Sequence, residues 1–150
     1  MEKIYKIWLY IIMWDTKTLK KTFNLNKLYQ ELNQKYFDGV LGECVFYVVP
    51  DPCSFMPAVA TILPHKKRTG GYTADIKFNS RIDWNSKDVR RVLLHEMIHY
   101  YTYVKTGRCL AFPHGLRFII KMIKINIRYN EHIRLYWYKE KLTWSNNQPR

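Results

Sequence analysis

The sequence predicts an α+β domain in which an amphipathic helix is followed by a small three-stranded sheet and then by two helices, the first of them long. Three observations carry that prediction. Apolar residues recur at helical spacing in residues 18 to 37; three short strand-like runs separated by turn residues fill the middle of the chain; and helical periodicity returns after Asn85, stops at Gly107 and resumes near Pro113.

In the first helix Leu19, Phe23, Leu25, Leu28, Tyr29, Leu32 and Phe37 form the apolar stripe, and Asp38-Gly39 stops it. Residues 44 to 49 read as a buried strand ending at Pro50-Asp51-Pro52. Two further strands are predicted at residues 57 to 63 and 72 to 78, with Pro64 to Gly71 as a basic, turn-rich loop between them. Because residues 72 to 78 alternate only partly between polar and apolar, a half-exposed edge strand fits them better than a central one.

Ser86-Lys87-Asp88 supplies N-cap chemistry for the long helix, whose apolar positions are Val89, Val92, Leu93, Ile98, Tyr101 and Val104. The next helix starts near Pro113, with His114 in its opening turn, and continues through Leu116, Ile119, Ile120, Ile123 and Ile125 to about Tyr129.

At 150 residues and 47% hydrophobic composition the chain suits one domain spanning residues 1 to 150. Residues 1 to 14 form an apolar N-terminal extension and residues 130 to 150 a basic, aromatic tail. The extension's apolar run, residues 7 to 14, is too short to cross a bilayer, which takes roughly 20 residues per helix. It is expected to pack on the domain, and no membrane role is expected. Cys44, Cys53 and Cys109 form no CxxC pair and leave an odd thiol, which argues against an oxidised scaffold and for the cytoplasm.

The formal net charge is +13, and residues 105 to 150 alone carry ten Lys or Arg against two Glu. Such a field favours polyanionic partners. Lys66-Lys67-Arg68 and the run from Arg134 to Lys139 place bases beside aromatics, as a surface for stacked nucleotides does. DNA held by non-specific phosphate contacts is therefore an expected partner.

The chemistry is carried by His95-Glu96-Met97-Ile98-His99, an HExxH. At about 100° per residue the two histidines lie roughly 40° apart on one helix face, so both imidazoles can reach one ion. Glu96 lies to one side, where its carboxylate can meet a water on the metal without being a ligand. A catalytic zinc takes three protein ligands and keeps one position open. Of the remaining histidines, His65 is in the basic loop and His132 in the tail, whereas a helix folding back antiparallel brings His114 to the ion. Tyr100, Tyr101, Tyr103 and Arg117 are all near enough in sequence to be donors to a developing oxyanion, and the sequence does not choose among them.

The run HEMIHYY followed by His114-Gly115-Leu116-Arg117-Phe118 resembles the SprT-like metalloprotease family, whose pattern is HExxH and then HGxxF. The resemblance extends upstream to Leu28 through Phe37 and to Gly70-Gly71-Tyr72 through Phe78, so it covers about residues 20 to 125. It implies a zincin-like fold, peptidase activity on a protein substrate, one Zn2+ held by His95, His99 and His114, and Glu96 as base and then acid. Spartan-type members cleave proteins held on DNA, so the resemblance also implies a DNA-linked substrate. Many relatives carry a C-terminal zinc ribbon, whereas no cysteine follows His114 here. Two other readings fit the same residues: a zinc peptidase unconnected with DNA, and a non-catalytic basic nucleic-acid-binding module with structural zinc.

Overall fold

The computed structural model describes residues 23–54, 58–108 and 113–136. The N-terminal extension, positions 18 to 22 of the predicted first helix, Pro57, Cys109 and tail residues 137 to 150 lie outside the described residues.

Helix α1 spans Leu25–Phe37 and buries Leu25, Tyr29, Leu32 and Phe37 of the predicted stripe, together with Tyr36, which the periodicity does not single out. Asn24 caps its start by accepting the Lys27 N–H with its side chain, and Asp38 (φ 55°) and Gly39 (φ 68°) turn the chain away at its end. Two consecutive left-handed residues are costly for most side chains, and the Asp-Gly pair lowers that cost.

The sheet comprises β1 (Glu43–Val49), β2 (Ala60–Lys66) and β3 (Tyr72–Asn79), in the order β1-β3-β2. β1 runs parallel to β3, whereas β2 pairs with it antiparallel. β3 is therefore the central strand, and the expectation of an edge strand is corrected. Its alternation arises because Ala74, Ile76 and Phe78 are fully buried while Thr73, Asp75 and Lys77 point to the opposite face. That opposite face stays open, with Val45, Tyr47 and Leu63 exposed on the neighbouring strands. Polar and apolar alternation reports which face meets solvent; it does not report which edge lacks a partner.

β2 also begins and ends three residues later than expected, so Pro64, His65 and Lys66 belong to the strand and not to the loop. Pro64 is tolerated because β2 is an edge among the described residues: pairing on one side only leaves a position where a missing N–H breaks no ladder. β1 starts so close to β3 that a Cβ on Gly42 would stand 1.9 Å from the Tyr72 carbonyl oxygen.

Helix α2 (Ser86–Thr106) is capped one residue earlier than predicted, by Asn85, whose side chain accepts the Asp88 N–H. Gly107 ends it with φ 70°. Val89, Val92, Leu93, Leu94, Met97 and Ile98 are fully buried, and α2 packs on β2, β3, α1 and the last helix. Each such side chain contributes about 1.5–3 kcal/mol by leaving water. Helix α3 spans Leu116–Tyr129, so His114 sits in the turn ahead of the helix and not in its first turn, with Gly115 at the N-cap. The result is an α+β domain that presents the centre of α2 and the start of α3 to each other.

Candidate metal centre

α2 delivers His95 and His99 one turn apart, and their Nε2 atoms are 3.2 Å from each other. His114, arriving from the turn before α3, places its Nε2 3.1 Å from that of His95. All three ligand atoms lie within 4.8 Å of one another. Phe118, fully buried in the first turn of α3, backs the cluster, with its ring 4.5 Å from His99 and 4.8 to 4.9 Å from the other two.

The orientation of His95 is fixed from behind: its Nδ1 is 2.7 Å from the Arg134 carbonyl oxygen. A carbonyl only accepts, so Nδ1 carries the proton and Nε2 turns its lone pair toward the other two imidazoles. One lone pair facing two ring nitrogens is poorly satisfied by hydrogen bonding alone. Two nitrogens bound to a single tetrahedral zinc at about 2.0–2.1 Å stand about 3.3 Å apart, close to the two separations that His95 Nε2 makes with His99 and His114. The donor set therefore fits a borderline-soft divalent cation.

Burial holds the imidazoles in the neutral form that ligation needs. It pushes His95 down to about 4. His99 falls to about 3, through burial first and then through the neighbouring His95 and His114. His114 is lowered by burial as well. Glu96 is driven the other way: buried beside the cluster, its carboxyl is raised to about 8 by desolvation. A carboxyl poised near neutrality can both take and return a proton.

These groups line a cavity of about 370 Å³, which Glu96 shares with His95, His99 and His114. Its other wall comes from β2 and the segment before it, including Ala60, Thr61, Ile62 and Pro64, while Tyr103 and Arg108 stand toward the end of α2. Of the four sequence candidates for an oxyanion donor, Tyr103 is the one on this wall. Tyr100 is fully buried, with its hydroxyl 3.5 Å from the Glu43 carbonyl oxygen. Tyr101 packs on Phe37, and Arg117 is exposed on α3. His65 lies on β2, 3.7 Å from an Asp75 oxygen, and His132 lies beyond α3; neither joins the cluster.

Sequence reasoning did not find the Arg134 carbonyl or Tyr136, whose ring stands 5.1 Å from that of His114. A backbone carbonyl has no side-chain signal, so nothing in the residue type marks it. Nor does residue type mark the β2 wall, because strand order decides which strand borders the cavity.

Among known families, residues 25–136 match the model of the SprT-like family. That match runs from the first residue of α1 through the segment that contacts His95 and His114. A search of curated proteins found no match.

Proposed function

This chain belongs to the SprT-like family, and from that premise we propose that it is a zinc-dependent endopeptidase whose ion is held by His95, His99 and His114 and whose general base is Glu96. The single observation that supports this most is the convergence of three neutral imidazoles beside a cavity that also contains a carboxyl of raised proton affinity.

A bound zinc supplies Lewis acidity, polarising a peptide carbonyl and acidifying water. Glu96 takes the proton from the attacking water and returns it to the departing amine. The carboxylate form this requires becomes favoured as a cation takes its place among the imidazoles, because an opposite charge nearby offsets the desolvation that raises Glu96 in its absence. Tyr103, the one sequence candidate that lines the cavity, is the donor proposed to meet charge developing on the carbonyl oxygen.

β2 supplies the edge on which a substrate peptide binds. Among the described residues it pairs with β3 alone, and Ala60, Thr61, Ile62 and Pro64 border the cavity, so an extended peptide can add to it as a further strand through backbone hydrogen bonds. Main-chain pairing of this kind gives little side-chain selectivity, which suits a broad protease.

We also infer that the protein substrates are held on DNA. Lys66 ends β2, the strand that borders the cavity, and Arg68 stands in the turn after it; both are exposed, and Arg108 lines the cavity itself. Lys67 contributes less, since its ammonium is paired with Glu43 at 2.6 Å. These bases offer phosphate contacts without sequence reading. No helix among the described residues is long and apolar enough to cross a membrane; a cytoplasmic location agrees with the odd cysteine count. A purely structural zinc is disfavoured, because such sites are closed by four protein ligands and the group found among the described residues offers three histidines.

Glu96→Gln tests the reading. Zinc content and fold are expected to persist while cleavage of a denatured protein falls by about 10²- to 10⁴-fold; undiminished cleavage would show that Glu96 is not the base. For the DNA-linked substrate, retention on single-stranded DNA should weaken steeply as salt rises. Absence of retention at low salt removes that part of the proposal.

A further inference from the structure

The segment that follows α3 does not simply leave the domain. Asn130 (φ 56°) and His132 (φ 57°) turn it back through two left-handed residues, and it then crosses behind the histidine cluster. Residues 131 to 136 form a strap that touches the cluster twice, through the Arg134 carbonyl on His95 Nδ1 and the Tyr136 ring on His114.

Two anchors fix its course. Glu131, its side chain 10% exposed, accepts from Arg90 Nε at 2.8 Å and from a terminal Arg90 nitrogen at 2.5 Å, and it also accepts the Tyr36 hydroxyl. Arg90 belongs to α2 and Tyr36 to α1, so one carboxylate ties the strap to both helices. Asn126 of α3 makes the second anchor: its Nδ2 donates to the Ile133 carbonyl at 2.8 Å, and its Oδ1 accepts the Ile133 N–H at 2.7 Å. The Ile133 side chain is buried in the core. Ile133, the residue immediately before Arg134, is thereby held through both its backbone N–H and its carbonyl, and the carbonyl that orients His95 is the next one along the chain.

We propose that Glu131 and Asn126 are positioning residues of the metal centre, acting through the strap to hold the Arg134 carbonyl on His95 and so to present the His95 Nε2 lone pair to the ion. Resting on the zinc-site reading above, the inference adds to it the device that sets the tautomer of one ligand. Hydrogen-bond partners of this kind raise ligand basicity and reduce the orientational freedom lost on binding, and their loss typically weakens metal affinity by about 10- to 100-fold. The carbonyl itself cannot be substituted, so its two anchors are the accessible handles.

The experiment uses the full chain, with Asn126→Leu, the milder Glu131→Gln, and Tyr29→Phe as a control that removes a hydrogen bond to Gly42 at the other end of the fold. Long-range 1H–15N spectra of the metal-free protein read the His95 tautomer, and chelator competition reads zinc affinity. Wild type and Tyr29→Phe are expected to show a single Nδ1–H form of His95 and equal zinc affinity. Asn126→Leu should show mixed tautomers and bind zinc about 10-fold more weakly or worse, with Glu131→Gln shifted in the same direction by less. An unchanged tautomer in folded variants overturns the proposal, as does a mixed tautomer with undiminished affinity, or an equal loss in Tyr29→Phe. A wild type that holds no zinc removes the metal-site reading and this inference with it. That result is distinct from failure of the strap alone, in which wild type binds zinc and the variants bind it equally well.

Discussion

Two buried polar clusters in this domain are wired in opposite ways. Where α1 gives way to β1, Asn33 donates to the Leu41 carbonyl at 2.9 Å and accepts the Leu41 N–H at 3.2 Å, and the Tyr29 hydroxyl donates to the Gly42 carbonyl at 2.7 Å. Every group there has a protein partner of the complementary kind. In the centre formed by α2 and the turn before α3, three imidazole nitrogens face one another and a carboxyl is buried beside them. Like groups brought together in low dielectric are costly unless something outside the chain completes them. The first cluster closes a turn; the second is arranged for a ligand.

The largest expected effect tests that contrast at the second cluster. His114→Ala should fold yet lose zinc, with affinity falling by more than the roughly 10- to 100-fold that follows loss of an outer hydrogen-bond partner. Metal analysis of the purified variant checks it, and full zinc occupancy would mean that His114 is not a ligand.

Gly42→Ala strikes the first cluster. Its new methyl would meet the Tyr72 carbonyl oxygen at 1.9 Å, and both are backbone-anchored, so β1 must shift against β3. A loss of about 1–3 kcal/mol or more is expected in denaturant unfolding. Asn33→Ala should cost about 1–3 kcal/mol by stranding the Leu41 amide and carbonyl, with zinc affinity unaltered. If either substitution weakened zinc binding in the folded protein, the two clusters would not be separable as described.

The smallest effect is a pH dependence of the metal-free protein, read as melting temperature in chelator. His95 and His99 lie at about 4 and about 3 against an ordinary 6.5, and His114 is lowered too, so below 6.5 the unfolded chain binds protons that the folded one refuses. Stability from these groups falls as pH drops from 6.5. Glu96, at about 8 against 4.5, holds a proton in the fold that the unfolded chain has lost, so its contribution falls as pH rises from 4.5 toward 8. Between 4.5 and 6.5 three imidazoles oppose one carboxyl, and above 6.5 the carboxyl acts alone among this set. A stability maximum near pH 6.5 is expected, and zinc should remove the decline on its alkaline side. A curve that is flat from pH 4 to 8 would contradict the assigned burial of these groups.

Chain order and local spacing made much of this legible. The stripe of α1, the stop at Asp38-Gly39, the run of α2 to Gly107 and the HExxH pair depend on residues within a turn or two of one another, so side-chain type and period suffice. His114 was identified in advance as a member of the cluster, although it stands in the turn before α3 and not in that helix. The errors concern pairing. The alternation of β3 predicts an edge, yet it is the central strand, and Pro64 reads as a loop residue, yet an edge strand accommodates it.

The sequence by itself determined the helices and the residue types available for chemistry, because backbone propensity and one-turn spacing are local properties. Tertiary structure decided which strand borders the cavity, which carbonyl orients His95, and how close three imidazoles from separate segments come to one another. Those features arise from contacts between residues far apart in the chain, where strand order and the return of a backbone carbonyl leave no mark on residue identity.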